Sequence, residues 1–225
     1  MNFPASQVIL PPVSTTPTQF TAGFKRFLLA AVLVALGLGI LVVPKVWSLG
    51  ALNGVIAVGM LLAADLGSGV AHWAFDRWGD ESTPVIGPNL IRGFRLHHTD
   101  PLGITRHSFV EANGGTALGA IPVLVVALLS SPVVAACCFW LALFVFFTNV
   151  IHGWAHGNAP RLVGWLQRAG LLLPPEHHEA HHRSPHDCAY CITTGWFNPL
   201  LDRAGAWGRL ERLITATLGI VPQRG

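Results

Sequence analysis

The chain has 225 residues, 52% of them hydrophobic and only 11% charged, with a formal net charge of +3. So little charge on so much apolar sequence excludes an ordinary water-soluble domain and points to a membrane bundle. Nucleic acid is excluded as a partner, because no Lys/Arg run exceeds two residues and the basic residues are scattered.

Residues 1–24 are rich in Pro, Ser and Thr without an apolar period and read as a disordered tail. The rest, 25–225, reads as one membrane domain. Lys25-Arg26 precede an uncharged run over 27–43, the first span; it is too long for a signal peptide and no small-residue cleavage site follows. Pro44-Lys45 is expected to break it. A second span over about 47–75 carries Asp65. The 49 residues of 112–160 then pass without Asp, Glu, Lys or Arg. One span needs ~20 residues, so this stretch makes two helices, about 114–130 and 133–156, turning at Ser130-Ser131-Pro132.

The expected fold is therefore all-α and integral to the membrane, with four transmembrane helices and a histidine-rich cap formed by 76–113 and 157–225. Of the 14 Lys/Arg, only Lys45 lies on the side of the hairpin turns, so the cap is expected to face the cytoplasm. The membrane would be the cytoplasmic membrane of a bacterium or the endoplasmic reticulum of a eukaryote. Two amphipathic segments, 161–172 and 201–218, mix Leu and Trp with Arg. Lying along the membrane surface and packing on the domain are both open to them.

All 11 histidines fall between His72 and His186. His152 and His156 are one helical turn apart, and Asn149 shares their face. His178 forms chelating pairs with His181 and His182; His97 and His98 follow the second span; His107, His177 and His186 stand alongside. Asp65, His72 and Asp76, spaced by seven and four residues, share a helical face. A carboxylate inside a span is costly and marks function by default; here Asp65 is expected to orient a metal-bound imidazole. One ion takes about four to six donors, so this supply suits two ions. Neutral imidazoles favour oxygen-activating iron over a carboxylate-bridged site.

Rival readings use fewer of these residues. His178-Glu179-Ala180-His181-His182 contains the H-E-x-x-H pattern of zinc metalloproteases but engages two histidines. A haem held by His72 and His152 would leave the His-His doublets unexplained, and a pH-sensing scaffold would not need chelate spacing. Cys188-x-x-Cys191 has the spacing of a zinc or redox pair without a second pair to complete it, and reads as two reduced thiols in a loop.

Four segments, DLGSGVAHWAFDRWGD, FRLHHTDPLGITRHSFVEANG, TNVIHGWAHG and PEHHEAHHRSPHDCAYCITTGWFNPLLDR, closely resemble the Kua-type lipid desaturases over roughly residues 60–215. The resemblance implies an O2-dependent enzyme with two irons that turns a 1-O-alkyl ether phospholipid into its 1-O-alk-1′-enyl form. Electrons would come from cytochrome b5 or a ferredoxin-like carrier. The histidine boxes carry over to His152/His156 and His178/His181/His182, and His72, Asp76, His97, His98 and His107 match the other polar positions. Acyl-chain desaturases in general place a histidine where Asp76 stands, which leaves Asp76 as a ligand or as the carboxylate holding His72. A plastid branch acts on a phospholipid acyl chain near its carboxyl end, which is the alternative substrate. Arg92, Arg95 and Arg106 could hold the lipid phosphate, or could simply serve as positive charges on the inner face.

Overall fold

The protein is described by a computed structural model covering residues 20–157 and 159–223. Of the proposed tail of 1–24, residues 1–19 lie outside the described residues, while 22–24 form the first turn of α1 rather than tail. Four long helices dominate: α1 (Ala22–Trp47), α2 (Ala51–Arg77), α4 (Phe109–Leu129) and α5 (Pro132–Ala155), each long and apolar enough to cross a membrane. Shorter helices follow their ends: α3 (Arg92–Thr99), α6 (Arg161–Arg168), α7 (Pro175–His181), α8 (Asn198–Arg203) and α9 (Ala206–Leu218). No strand occurs among the described residues.

The helix limits differ from the expected spans for local reasons. Pro44 does not end α1. It sits in the last turn, where a missing amide and a ring clash disturb little helix. Lys45 then reaches across to the carbonyls of Leu128 and Ser130, which cap α4. A charged side chain thus satisfies two carbonyls that no further turn of helix can meet. The turn to α2 closes at Gly50, whose φ of 56° is left-handed. At the other end α4 starts five residues earlier than expected because Ser108 and Glu111 form a reciprocal capping box. Glu111 also pairs with Lys25 of α1 at 2.7 Å.

Small residues bring the spans together. Ala31, Ala35, Ala117, Ala120 and Ala142 are buried where α1, α4 and α5 meet, around Leu124 and Phe146. Lipid tails offer no hydrophobic drive between helices, so close backbone approach through small side chains supplies the packing. α2 packs on α5, and Trp140 of α5 donates to Asn53 of α2 at 2.7 Å. The amino ends of α1 and α4 and the carboxyl ends of α2 and α5 share one side of the bundle, and the short helices cover it.

The 161–172 segment is helical only to Arg168, because a left-handed Gly170 ends it. Leu162 and Trp165 face outward while Val163 and Gln167 are buried. The 201–218 segment is split at Gly205, also left-handed. Its second half, α9, has three sides. Trp207 packs on Trp73 and Tyr190, and Glu211 accepts from Arg77 (2.7 Å) and Trp73 (3.2 Å). Leu210 and Leu213 are exposed on a second side, and Arg209 and Arg212 lie beside them on a third. A helix at a membrane surface needs one side each for protein, lipid and water.

Candidate metal centre

Eight imidazoles and one carboxylate meet beneath α3 and α7, divided into two groups. The first holds His152 and His156 from the end of α5, His97 from α3, and His178 and His182 from α7. Its Nε2 atoms converge: His152–His178 is 2.8 Å, His156–His178 2.7 Å, His178–His182 3.0 Å, His97–His156 2.9 Å and His97–His182 3.2 Å. The second holds His72 and Asp76 from α2, His98 from α3 and His181 from α7. Asp76 Oδ2 lies 3.4 Å from His72 Nε2 and 3.3 Å from both His98 Nε2 and His181 Nε2.

The His-His doublets now have a geometric meaning. Neighbours on a helix point about 100° apart. On α3, His97 serves the first group and His98 the second; on α7, His182 serves the first and His181 the second. The groups are adjacent, with His98 and His182 ring centres 5.4 Å apart and those of His178 and His181 5.9 Å apart. No residue among those described belongs to both groups.

The chemistry of these donors fits a cation. A neutral imidazole carries one N–H and one lone pair. His72 Nδ1 donates to the Tyr190 carbonyl at 3.2 Å, and His181 Nδ1 donates to the Cys188 carbonyl at 2.8 Å. A carbonyl can only accept, so the proton sits on Nδ1 and the Nε2 lone pair of each ring faces Asp76. His72 Nε2 and both Asp76 oxygens are buried without a conventional hydrogen-bond partner. Lone pairs aimed at a carboxylate in a dry pocket repel unless a positive ion stands among them. Burial, reinforced by neighbouring imidazoles, pushes the pKa of His97 and His178 far down, that of His156 to about 4 and that of His182 to about 3. These rings are therefore neutral near pH 7, the state a metal requires.

Other candidate residues go elsewhere. Asp65 touches no imidazole; it accepts backbone N–H groups from Thr193, Thr194, Gly195 and Phe197. Its place one face along from His72 suggested a link to the ring, but the 188–198 loop lies between them. His107 joins neither group and packs near Phe20. Asn149 donates to the Ala112 carbonyl at 2.9 Å, linking α5 to α4. His177 is exposed. His186 stacks beside His98, with ring centres 4.4 Å apart, and bonds the His181 carbonyl through Nδ1. Arg95 gives its donors to Gln223 (2.6 Å) and the Gly79 carbonyl (2.7 Å), Arg106 pairs with Asp100, and Arg92 lies 4.0 Å from Glu81. Glu179 is exposed and bonds Arg183 at 2.9 Å, turned away from the imidazoles that the zinc-protease pattern would have it serve. The four cysteines are free. Burial pushes the Cys188 and Cys191 thiols up, away from the thiolate form that zinc needs.

Sequence reasoning missed the carbonyls of Cys188 and Tyr190, which orient two rings. Main-chain acceptors leave no mark in residue type, so no residue pattern pointed to them.

Four candidate spans with two adjoining imidazole-rich groups at one end describe a multi-pass membrane protein whose groups could each hold a metal ion. The chain belongs to the lipid desaturase family, whose domain matches residues 61–225. It is 45% identical over 170 residues to plasmanylethanolamine desaturase of Myxococcus xanthus, covering 72% of this chain and 60% of that one. It is 42% identical over 175 residues to plasmanylethanolamine desaturase 1 of Mus musculus, covering 72% and 65%. Fatty acid desaturase 4, chloroplastic, of Arabidopsis thaliana is 40% identical over 169 residues, covering 72% and 51%. The chain thus spans about half to two thirds of the length of these relatives. No solved structure matches it.

Proposed function

We propose that this chain is an O2-dependent desaturase that introduces the vinyl-ether double bond into a 1-O-alkyl phospholipid, converting plasmanylethanolamine to plasmenylethanolamine. The observation that carries this reading is the five-plus-four donor set of the two groups at the end of a membrane bundle. Iron held in both groups would supply the reduction of dioxygen and the removal of hydrogen from carbon. Overall, O2 takes two electrons from the C1–H and C2–H bonds and two from an external carrier, cytochrome b5 or a ferredoxin-like protein, and ends as two waters. The chain's own part is to gather eight rings at one end of the bundle, to fix two of them through Nδ1, and to exclude water by burial.

Depth supports the site of attack. His152 lies three residues from the end of α5, and His72 five from the end of α2. At 1.5 Å per residue both backbones stand roughly 5–8 Å inside the helix ends. That level is the upper half of one leaflet, whose hydrocarbon is about 15 Å deep, so the first chain carbons lie within reach and the chain ends do not. The placement of Lys and Arg supports a cytoplasmic site. Of the three arginines considered for the phosphate, Arg92 has the loosest internal tie and is the one we assign to it.

An acyl bond close to the carboxyl end would lie at a similar depth, and the Arabidopsis relative is named a fatty acid desaturase. One experiment separates the two. The chain is expressed in a plasmalogen-free cell fed alkylglycerol, and its lipids are analysed for acid-labile vinyl ethers. Vinyl ethers are expected; new acyl unsaturation without them would replace this substrate with the acyl alternative.

A further inference from the structure

The non-helical segment 188–197, closed by Asn198 at the start of α8, is buried without a break from Ala189 to Gly195; Tyr190, Cys191 and Thr193 are 0% exposed. A loop in such a place must have its backbone groups satisfied, and α2 satisfies them. Asp65 Oδ1 accepts from Thr193 (3.2 Å), Thr194 (2.7 Å) and Gly195 (2.9 Å), three successive amides turned toward one oxygen. One turn on, Ser68 Oγ accepts from Ile192 at 3.0 Å. Asn198 closes the segment on itself, accepting from the Cys191 amide (2.8 Å) and donating to its carbonyl (2.9 Å). The upstream end of the same segment carries the two carbonyls that receive His181 and His72. Both rings belong to the carboxylate-containing group. In the five-histidine group, by contrast, the Nδ1 atoms of His178 and His182 are buried without partners.

We propose that Asp65 is a positioning residue for one centre only. It acts through the 188–198 strap to hold His72 and His181 with Nε2 toward Asp76; the strap's ties on the other side, from Thr193 to Thr148 (2.9 Å) and to the Leu173 amide (3.1 Å), reach no imidazole of the five-histidine centre. This inference rests on the two-ion reading of the site and deepens it. It also explains a carboxylate buried in a span without making it a ligand: its oxygens are met by main-chain amides rather than imidazoles.

The test uses Asp65→Asn in the full chain, purified in detergent and loaded with isotopically enriched ferrous iron. Iron affinity and the Mössbauer spectrum are read for each centre, with His182→Ala as the reference that perturbs the other centre. Supporting groups behind metal ligands are worth about 10–100-fold in affinity. Asp65→Asn should therefore weaken one equivalent by that factor, remove one of two spectral components, and spare the component that His182→Ala removes. Ser68→Ala, which cuts a single tie, should move the same component to a lesser degree, and it decides the matter if the Asn variant does not fold. Two unchanged components in these variants, or both lost in equal measure, would overturn the proposal. A wild-type chain that takes up a single ion would instead overturn the reading of the site on which it rests.

Discussion

Gly69 is where the strap meets α2, and Gly69→Ala is the sharpest structural test of that contact. A Cβ there would stand 2.5 Å from Cys191 Sγ, 3.3 Å from Cys191 N and 3.4 Å from Cys191 Cα. Carbon packs best at about 3.5–4.0 Å, so the thiol must move by more than an ångström and the loop backbone by a few tenths. Rotating the thiol relieves only the first contact. Shifting the loop lengthens the bonds from Ile192 to Ser68 and from Thr193, Thr194 and Gly195 to Asp65. Overpacking of this kind costs about 1–3 kcal/mol. Gly67, two residues away on the same helix, has nothing within 4 Å of its would-be Cβ. Alanine there should be neutral or stabilise by up to about 1 kcal/mol, the ordinary helix preference. The two variants are thus expected to move thermal stability in opposite directions in detergent. Adding Cys191→Ala to Gly69→Ala removes Sγ and should recover most of the loss. A Gly69→Ala protein as stable as the Gly67→Ala protein, with full iron content, would refute the strap's close seat on α2.

Glu179→Gln should leave desaturation within about twofold of wild type, as a solvated surface pair contributes little; its complete loss would contradict the outward placement of Glu179. Arg95→Ala should loosen the carboxyl-terminal residues tied through Gln223, seen as faster proteolysis there, without raising the substrate concentration needed for half-maximal rate. The pH dependence of the metal-free protein follows from the depressed imidazoles. His156 falls from 6.5 to about 4 and His182 to about 3, chiefly through burial. The unfolded chain therefore binds protons first, so stability should be highest above pH 6.5 and fall as pH drops toward 4. Thermal melts of chelator-treated protein at pH 7.5, 6 and 5 should show that order; a flat or inverted series would contradict the burial of these rings.

The spans were legible because their signal is physical and continuous: 49 residues without a charge leave no other solution. The metal groups were legible in part because chelate spacing is a short-range property. His152/His156 and His178/His182 declare themselves within one turn, and Asp76 shows itself one turn from His72. How the donors divide between two centres depends on the direction of α3 and α7, which no spacing reports. His107 and Asp65 mark the limits of such reasoning. His107 has the right residue type in the right segment but points toward Phe20. Asp65 has the right depth, yet its partners are main-chain amides some 130 residues away, a contact that neither periodicity nor composition encodes.

Because α3 and α7 each carry donors for both groups, the gap between the two centres is gauged by one residue step on a rigid rod. Tilting or sliding either short helix displaces donors of both centres in concert, whereas α5 and α2 each feed one centre alone, so the two short helices tie the ends of those spans to a common spacing. The same arrangement is intolerant of frame: a one-residue deletion within α7 ahead of His181 would rotate every later donor by about 100°, putting His182 in the place of His181 and His181 in that of Ala180, which serves neither group.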